Sequence, residues 1–372
     1  MEDKSLIYEQ NKNLGINTID CAKLGPSEIS QQPELEVLIS DPQLIEEGFF
    51  SSNFVSYSVI TKPFEWKVIR EFSDFVWLRE ITVNNFPGIF VPPLPNMKTR
   101  GSLDETTIYK RQKCLCKFMK CLISHPLILR NEHLRIFLKQ SNTQSFKEYI
   151  QSVQSEKIED ISNFPSLNGK LIGDLRDHSL KVISLGNYYE KSARIMKQLK
   201  EKAYEMIQDI DQINENILNL ASISKKLEDI QDAFAFTEKY KDLYKFLNTN
   251  LLQLSEVQRK KIEMVNYNLG IFFKYSSMQH TSLKRFVDNN QSYTIIFCKA
   301  LIKHYESIDK TRQFFAYYNS QNLIETSRMN NYITKQSYNN FLEFTVKQAQ
   351  LSNELKTIWK ELLENVHLIK FI

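Results

Sequence analysis

The stretch IREFSDF, Ile69 to Phe75, carries a change of period within a few residues. Upstream of it, FEWKVIREF reads as a strand. Downstream, SDFVWLREIT opens on Ser73 as an N-cap and continues as a short helix. Two earlier runs, LEVLIS and NFVSYSVI, alternate in polarity and favour strands, so a three-stranded antiparallel sheet feeding a helix is the expectation. Phe75 belongs to the core. Arg70 and Glu71 are strand neighbours and point to opposite faces, and Arg70 is assigned to supporting the fold.

Beyond this corner, FPGIFVPPLP is extended, because consecutive prolines fix φ and push the preceding residues toward β or polyproline II. The run DETTIYKRQKCLCKFMKCLISHP reads as a helix capped by Asp104 and ended before Pro126. A last short helix, NEHLRIFLKQ, closes the unit near Ser141.

Proline and glycine divide the chain. All ten prolines lie at or before Pro165, and of nine glycines only Gly270 follows Gly186. The later part therefore nearly lacks the strongest helix breakers. There Met196, Leu199, Ala203, Met206, Ile210, Ile213, Ile217 and Leu220 alternate spacings of three and four, a heptad seam. The seam extends less strictly through Leu227, Phe234, Leu243, Leu247 and Leu251, predicting one first helix of about 70 residues, roughly 100 Å long. A second helix is expected over 253–318 and a third to the end of the chain. Three long antiparallel helices with short connections make an elongated bundle, and apolar faces wider than a two-stranded seam predict a dimer.

Composition narrows the function. In 372 residues, 42% are hydrophobic and 25% charged, a globular balance with a net charge of only +4. A nucleic-acid partner is not expected without a stronger basic excess. No run of 18 to 20 apolar residues is present to span a bilayer. The opening MEDKSLIYEQNKN is acidic and polar, unlike a targeting signal, and five cysteines make no disulfide framework.

The sheet-forming part resembles the sorting nexins that pair a PX domain with a BAR domain. Tyr57 to Thr61, YSVIT, is similar to that family's YxVxT strand, and Arg70 to Phe75, REFSDF, to its R-R-[YF]-S-D-F. Val91 to Pro95, VPPLP, resembles its proline segment. RQKCL, Arg111 to Leu115, resembles its ERxxxL helix, with Lys110 in place of Glu. His125-Pro126 with Ile128, and then Phe137-Leu138, resemble its HPxL and closing FL. The helical part matches by architecture. The resemblance implies an α+β PX domain followed by an all-α, dimeric BAR domain. The expected boundaries are a tail at 1–33, PX at 34–142, a linker at 143–175 and BAR at 176–372. It also implies phosphoinositide and curved-membrane binding on endosomes by a cytoplasmic, peripheral protein. Dimerisation would be homotypic or heterotypic, with protein cargo or coat partners.

That family's Arg before the aromatic holds the 3-phosphate, and here the position is Glu71, a carboxylate that repels phosphate. Phe72 keeps the aromatic position under the inositol ring, Arg111 matches the Arg that meets ring hydroxyls, and Lys98 or Arg100 stands near the 1-phosphate Lys. Candidate membrane-surface clusters are Arg259, Lys260 and Lys261, and Lys284 with Arg285. Residues 171–372 hold 28 Lys and Arg against 23 Asp and Glu, whereas the first 170 residues hold 20 against 21. The linker carries an apolar stripe at Phe146, Ile150, Val153, Ile158 and Ile161. Its polar face is acidic, which favours packing on protein over insertion into lipid.

No Walker loop, nucleophile elbow or HExxH is present, and no catalytic residue or cofactor is assigned. Cys114, Cys116, Cys121 and His125 are read as packed side chains rather than metal ligands. Two functions remain: a membrane-remodelling adaptor, or a coiled-coil scaffold whose PX domain binds protein and has lost 3-phosphoinositide recognition.

Overall fold

A computed structural model describes residues 35–45, 54–86, 88–95, 104–153, 175–234, 238–303 and 308–368. Three antiparallel strands, β1 (Glu36–Ile45), β2 (Phe54–Lys62) and β3 (Trp66–Glu71), form a sheet with β2 in the middle. Tyr57 faces Arg70 and Ser56 faces Glu71 across the β2–β3 ladder. Along β3, Val68 and Arg70 turn into the core while Ile69 stays exposed, the period-two alternation of a strand with one wet face. Helix α1 (Phe72–Asn85) follows without a loop. Its N-cap is Glu71, not Ser73: the Glu71 N–H donates to the Asp74 carboxylate at 2.8 Å. Helix α2 (Glu105–Ile123) starts on Asp104, which accepts from the Thr107 N–H, as its sequence predicts. Short helices α3 (Pro126–Leu129), α4 (Glu132–Lys139) and α5 (Thr143–Ser152) complete the unit around Val59, Phe75, Leu115, Phe118 and Phe137, all fully buried.

Helix α5 lies in the stretch expected as a linker. Its Phe146 is fully buried in this same core, edge-on to Phe137 and Trp77. Ile158 and Ile161 of the predicted stripe, like the predicted tail at 1–33, fall outside the described residues.

The rest is helical: α6 (Leu175–Ala233), α7 (Glu238–Val265), a π-helical turn (Asn266–Ile271), α8 (Phe272–Lys303) and α9 (Ile308–Leu368). A 59-residue α6 is about 90 Å long. Contacts of Ser224 with Tyr244, and of Ser255 with Asn214, run in opposite directions, so α6 and α7 are antiparallel. Lys260 meets Glu354 and Asn268 meets Asn340, so α9 is antiparallel to the α7–α8 rod. The first helix ends at Ala233, well before Leu243, Leu247 and Leu251, which belong to the second. Both helices are amphipathic with the same spacing, so the apolar rhythm passes through the reversal, and no Gly or Pro marks it. The second helix accordingly runs from Glu238 to Lys303 and the third begins at Ile308.

The seam on α6 divides into two rows. Ala203 and Ile210 are buried, with Met196 and Ile217 packed alongside, against α7 and α8. Leu199, Met206, Ile213 and Leu220, one every seven residues, are 40%, 38%, 50% and 56% exposed. The inner row holds the bundle together, and the outer row has no cover among the described residues.

The two units are packed together. Phe90 of the proline segment is 2% exposed among Val182, Tyr189, Leu283, Val287 and Met329 of the bundle. Cys114 of α2 packs on Ile271 and Tyr275, at the π turn. A π turn frees a carbonyl from the helical ladder; that of Asn268 accepts from Asn340 Nδ2 at 2.6 Å. Gly270 brings α6 close there, since a Cβ would stand 3.4 Å from the Tyr204 ring.

Candidate headgroup site and the domain joint

Arg70 does not reach solvent. It is 0% exposed, and its guanidinium donates to the carbonyls of Phe137 and Gln140 at 3.0 and 2.7 Å and stacks on Phe146, 3.8 Å from the ring centroid. Burial pulls its pKa down to about 10, against the opposing charge of Asp74. Its role is to satisfy the carbonyls that end α4, which are orphaned at any helix C-terminus.

Glu71 faces the other way and has a cation of its own. Lys147 of α5 stands 3.2 Å from Glu71 and 3.1 Å from Asp74, and the Ser73 hydroxyl donates to Glu71 at 3.3 Å. Burial works against the charged ammonium, but the two carboxylates outweigh it and raise the Lys147 pKa. The position that resembles a phosphate-holding Arg is thus occupied by a carboxylate tied into the fold.

Phe72 is 6% exposed, and the Arg111 guanidinium lies over its ring, 5.5 Å from the centroid. The buried Tyr57 hydroxyl lies beside the Arg111 guanidinium. Burial raises the hydroxyl pKa and the Arg111 charge offsets part of that. The structure therefore brings Phe72 and Arg111 together, as the motif predicts. Lys98 and Arg100 lie outside the described residues.

On the other side of Phe72 a cleft of about 520 Å³ opens between α1, the proline segment and α8. Arg79 lines its α1 wall, donating from Nε to the Pro92 carbonyl at 3.0 Å, and Arg285 lines its α8 wall. Sequence reading missed Arg79. The signal was its spacing from Phe72 and Val76, which places all three on one helical face.

His125 of the HP motif joins the units. Its Nδ1 accepts from the Leu127 and Ile128 N–H groups, capping α3, so Nε2 carries the proton and faces Glu325 of α9 at 3.2 Å. Glu325, 2% exposed, also accepts from the Phe90 N–H at 3.1 Å and from Arg328 at 2.9 Å. Burial alone raises the carboxyl pKa, but the His125 and Arg328 hydrogen bonds hold it at about 2. Cys114 and Cys121 sit in the same joint; burial pushes the Cys121 thiol up to about 12, leaving it protonated. Among the described residues no cluster of His, Cys, Asp and Glu has the arrangement of a metal site.

Comparison with known proteins agrees with this architecture. The PX domain model matches residues 58–141. Sorting nexin 1 of Arabidopsis thaliana is 26% identical over 220 residues, 54% of this chain and 54% of that protein. Sorting nexin-4 of Eremothecium gossypii is 24% identical over 70% of this chain and 68% of its own length. Sorting nexin-4 of Candida albicans is 27% identical over 50% of this chain, and only 35% of that protein is spanned. The cryo-EM structure of the SNX-BAR Mvp1 tetramer superposes on 88% of this chain and 99% of its own, with a TM-score of 0.68 at 15% identity. The chain carries a PX domain, and its helical part has the BAR architecture of the PX–BAR sorting nexins it resembles.

In this chain the basic clusters read from sequence are mostly paired internally. Arg259 binds Glu256, Lys260 binds Glu354, and Lys284 binds Asp288 and approaches Glu190 at 3.9 Å. Surface pairs of this kind are weak and leave the cations able to meet lipid. Lys261 and Arg285 have no ion pair among the described residues. No described helix is long and apolar enough to cross a membrane.

Proposed function

We propose that this chain is a sorting nexin, a non-catalytic adaptor of endosomal membranes that acts as a dimer and meets anionic lipid through the PX domain and the bundle together. One observation carries the reading most: a PX domain docked on a rod whose α6 leaves a four-residue apolar row, one residue every seven positions, uncovered among the described residues. A second copy, or a related chain, covers that row; two rods then present doubled basic clusters to the bilayer. Each basic residue close to an anionic leaflet contributes about 1 kcal/mol, and pairing adds such weak contacts by avidity. Cargo or coat proteins bind the assembled dimer.

Light scattering tests the dimer. Wild type is expected at twice the chain mass, and I213E with L220E at the chain mass; a monomeric wild type at working concentration overturns the reading. Flotation with vesicles, with and without phosphatidylinositol 3-phosphate, tests the lipid. The Glu71–Lys147 pair favours a second reading, in which the PX domain contacts protein and the rods alone hold the membrane. A wild type indifferent to the phosphoinositide, with E71R gaining a preference, supports that second reading. A wild-type preference abolished by R111A supports the first.

A further inference from the structure

The cleft between the two domains is lined by two arginines, Arg79 and Arg285. Arg79 spends Nε on a backbone carbonyl, and among the described residues its terminal nitrogens make no further hydrogen bond or ion pair. Arg285 is exposed and, among the described residues, has neither. Two guanidiniums thus line one cavity, against a single lining carboxylate, Glu80. Burial lowers the Arg79 pKa, the neighbouring Glu80 and Tyr275 oppose it, and the like charge of Arg285 adds a smaller lowering. Such a pair is unfavourable until an anion lies between, and a phosphate takes several N–H donors from two guanidiniums at once.

The remaining lining narrows the ligand. Ser282 offers a hydroxyl, whereas the hydroxyls of Ser277 and Thr281 already donate to the carbonyls of Ala193 and Ser277. Phe72, Val76 and Pro93 give an apolar wall suited to the face of a carbon ring. The volume falls within the range of roughly 300–1,000 Å³ of small-molecule sites. We propose that this cleft is a composite site for a phosphomonoester on a polyol ring, held by Arg79 of the PX domain and Arg285 of the bundle. It exists only when the domains are docked, so a bound phosphate also fastens the joint by mass action. The same chemistry is offered by a lipid headgroup and by a soluble inositol phosphate. The lipid source rests on the membrane reading above.

Calorimetry on the full chain with inositol 1,3-bisphosphate is the primary test, with R285A, R285K and, as a control for general charge, K335A. Loss of one charge-assisted contact is expected to weaken binding about tenfold in R285A, with partial recovery in R285K and none lost in K335A. Thermal melts check that R285A, an exposed residue, remains folded. No heat with wild type, or equal effects of R285A and K335A, overturns the site. Flotation on phosphatidylinositol 3-phosphate vesicles, against phosphatidylserine vesicles of equal charge, identifies the source. A parallel loss in R285A assigns the lipid headgroup; unchanged flotation with lost calorimetric binding assigns the soluble phosphate and leaves the cleft standing. Strong flotation by wild type and R285A alike, with equal calorimetric binding, removes the cleft while the membrane reading survives.

Discussion

Two carboxylates of this protein, one at a motif position and one outside every motif, behave differently. Glu71 sits at the strand-to-helix corner, its side chain 27% exposed, paired with a Lys147 that is 34% exposed. Glu325 sits in the domain joint, 2% exposed, holding His125, Arg328 and the Phe90 N–H. Water screens the first and lets either partner relax if the other is removed. The second is buried with His125 and the Phe90 N–H, and only Arg328, 22% exposed, has partial access to solvent. The difference teaches that a charge which looks like an error in a motif is cheap at an edge, whereas a charge the motif does not mention can hold two domains together.

Removing Glu325 is expected to give the largest effect. E325A leaves an Arg328 charge and two buried donors unpaired, a change that costs roughly 3–5 kcal/mol. The joint should open while the PX core survives, seen as protease cleavage between the domains and a split thermal transition. A single unshifted transition would put the two carboxylates on equal footing.

Acid should single out the joint next. The Glu325 carboxyl is held at about 2 when folded, against about 4.3 when unfolded. Its contribution is complete above the unfolded value and is lost as pH falls from there through the folded one. Hydrogen exchange at the Phe90 amide should accelerate in that window before exchange in β2 and β3 does. Concerted acceleration would show that the joint has no separate stability.

The corner pair should give the smallest effect. K147A and E71A are each expected to cost about 1 kcal/mol or less, with a coupling below that in a double-mutant cycle read by urea denaturation. Phe146 beside Lys147 sharpens this: F146A removes a fully buried ring from the PX core and should cost about 3–5 kcal/mol. If K147A rivals F146A, the corner pair matters to the fold far more than its exposure implies.

The sheet, the Asp104 cap of α2 and the inward place of Arg70 were legible because they follow from local rules. Alternation marks β1 to β3, Asp104 precedes a helical run, and adjacent strand residues face opposite ways. The partner of Glu71 was not legible, because Lys147 comes from a helix 76 positions later that docks through Phe146. Arg285 was visible as part of a basic pair, but its position in the cleft with Arg79 depends on how α8 lies on the proline segment. The helix reversal after Ala233 was hidden by an apolar rhythm that continues into the next helix.

By itself the sequence determined the two architectures and their order, because hydrophobic period and the placement of proline and glycine act over a few residues and need no partner. It also determined the heptad seam. Only the tertiary structure decided that the seam splits, with Ala203 and Ile210 facing inward and Leu199, Met206, Ile213 and Leu220 outward. The two rows differ by less than a half-turn of helix, so which one is buried depends on where α7 and α8 come to rest. For the same reason the cleft and the Glu325 joint belong to the packing of whole domains, which no local pattern records.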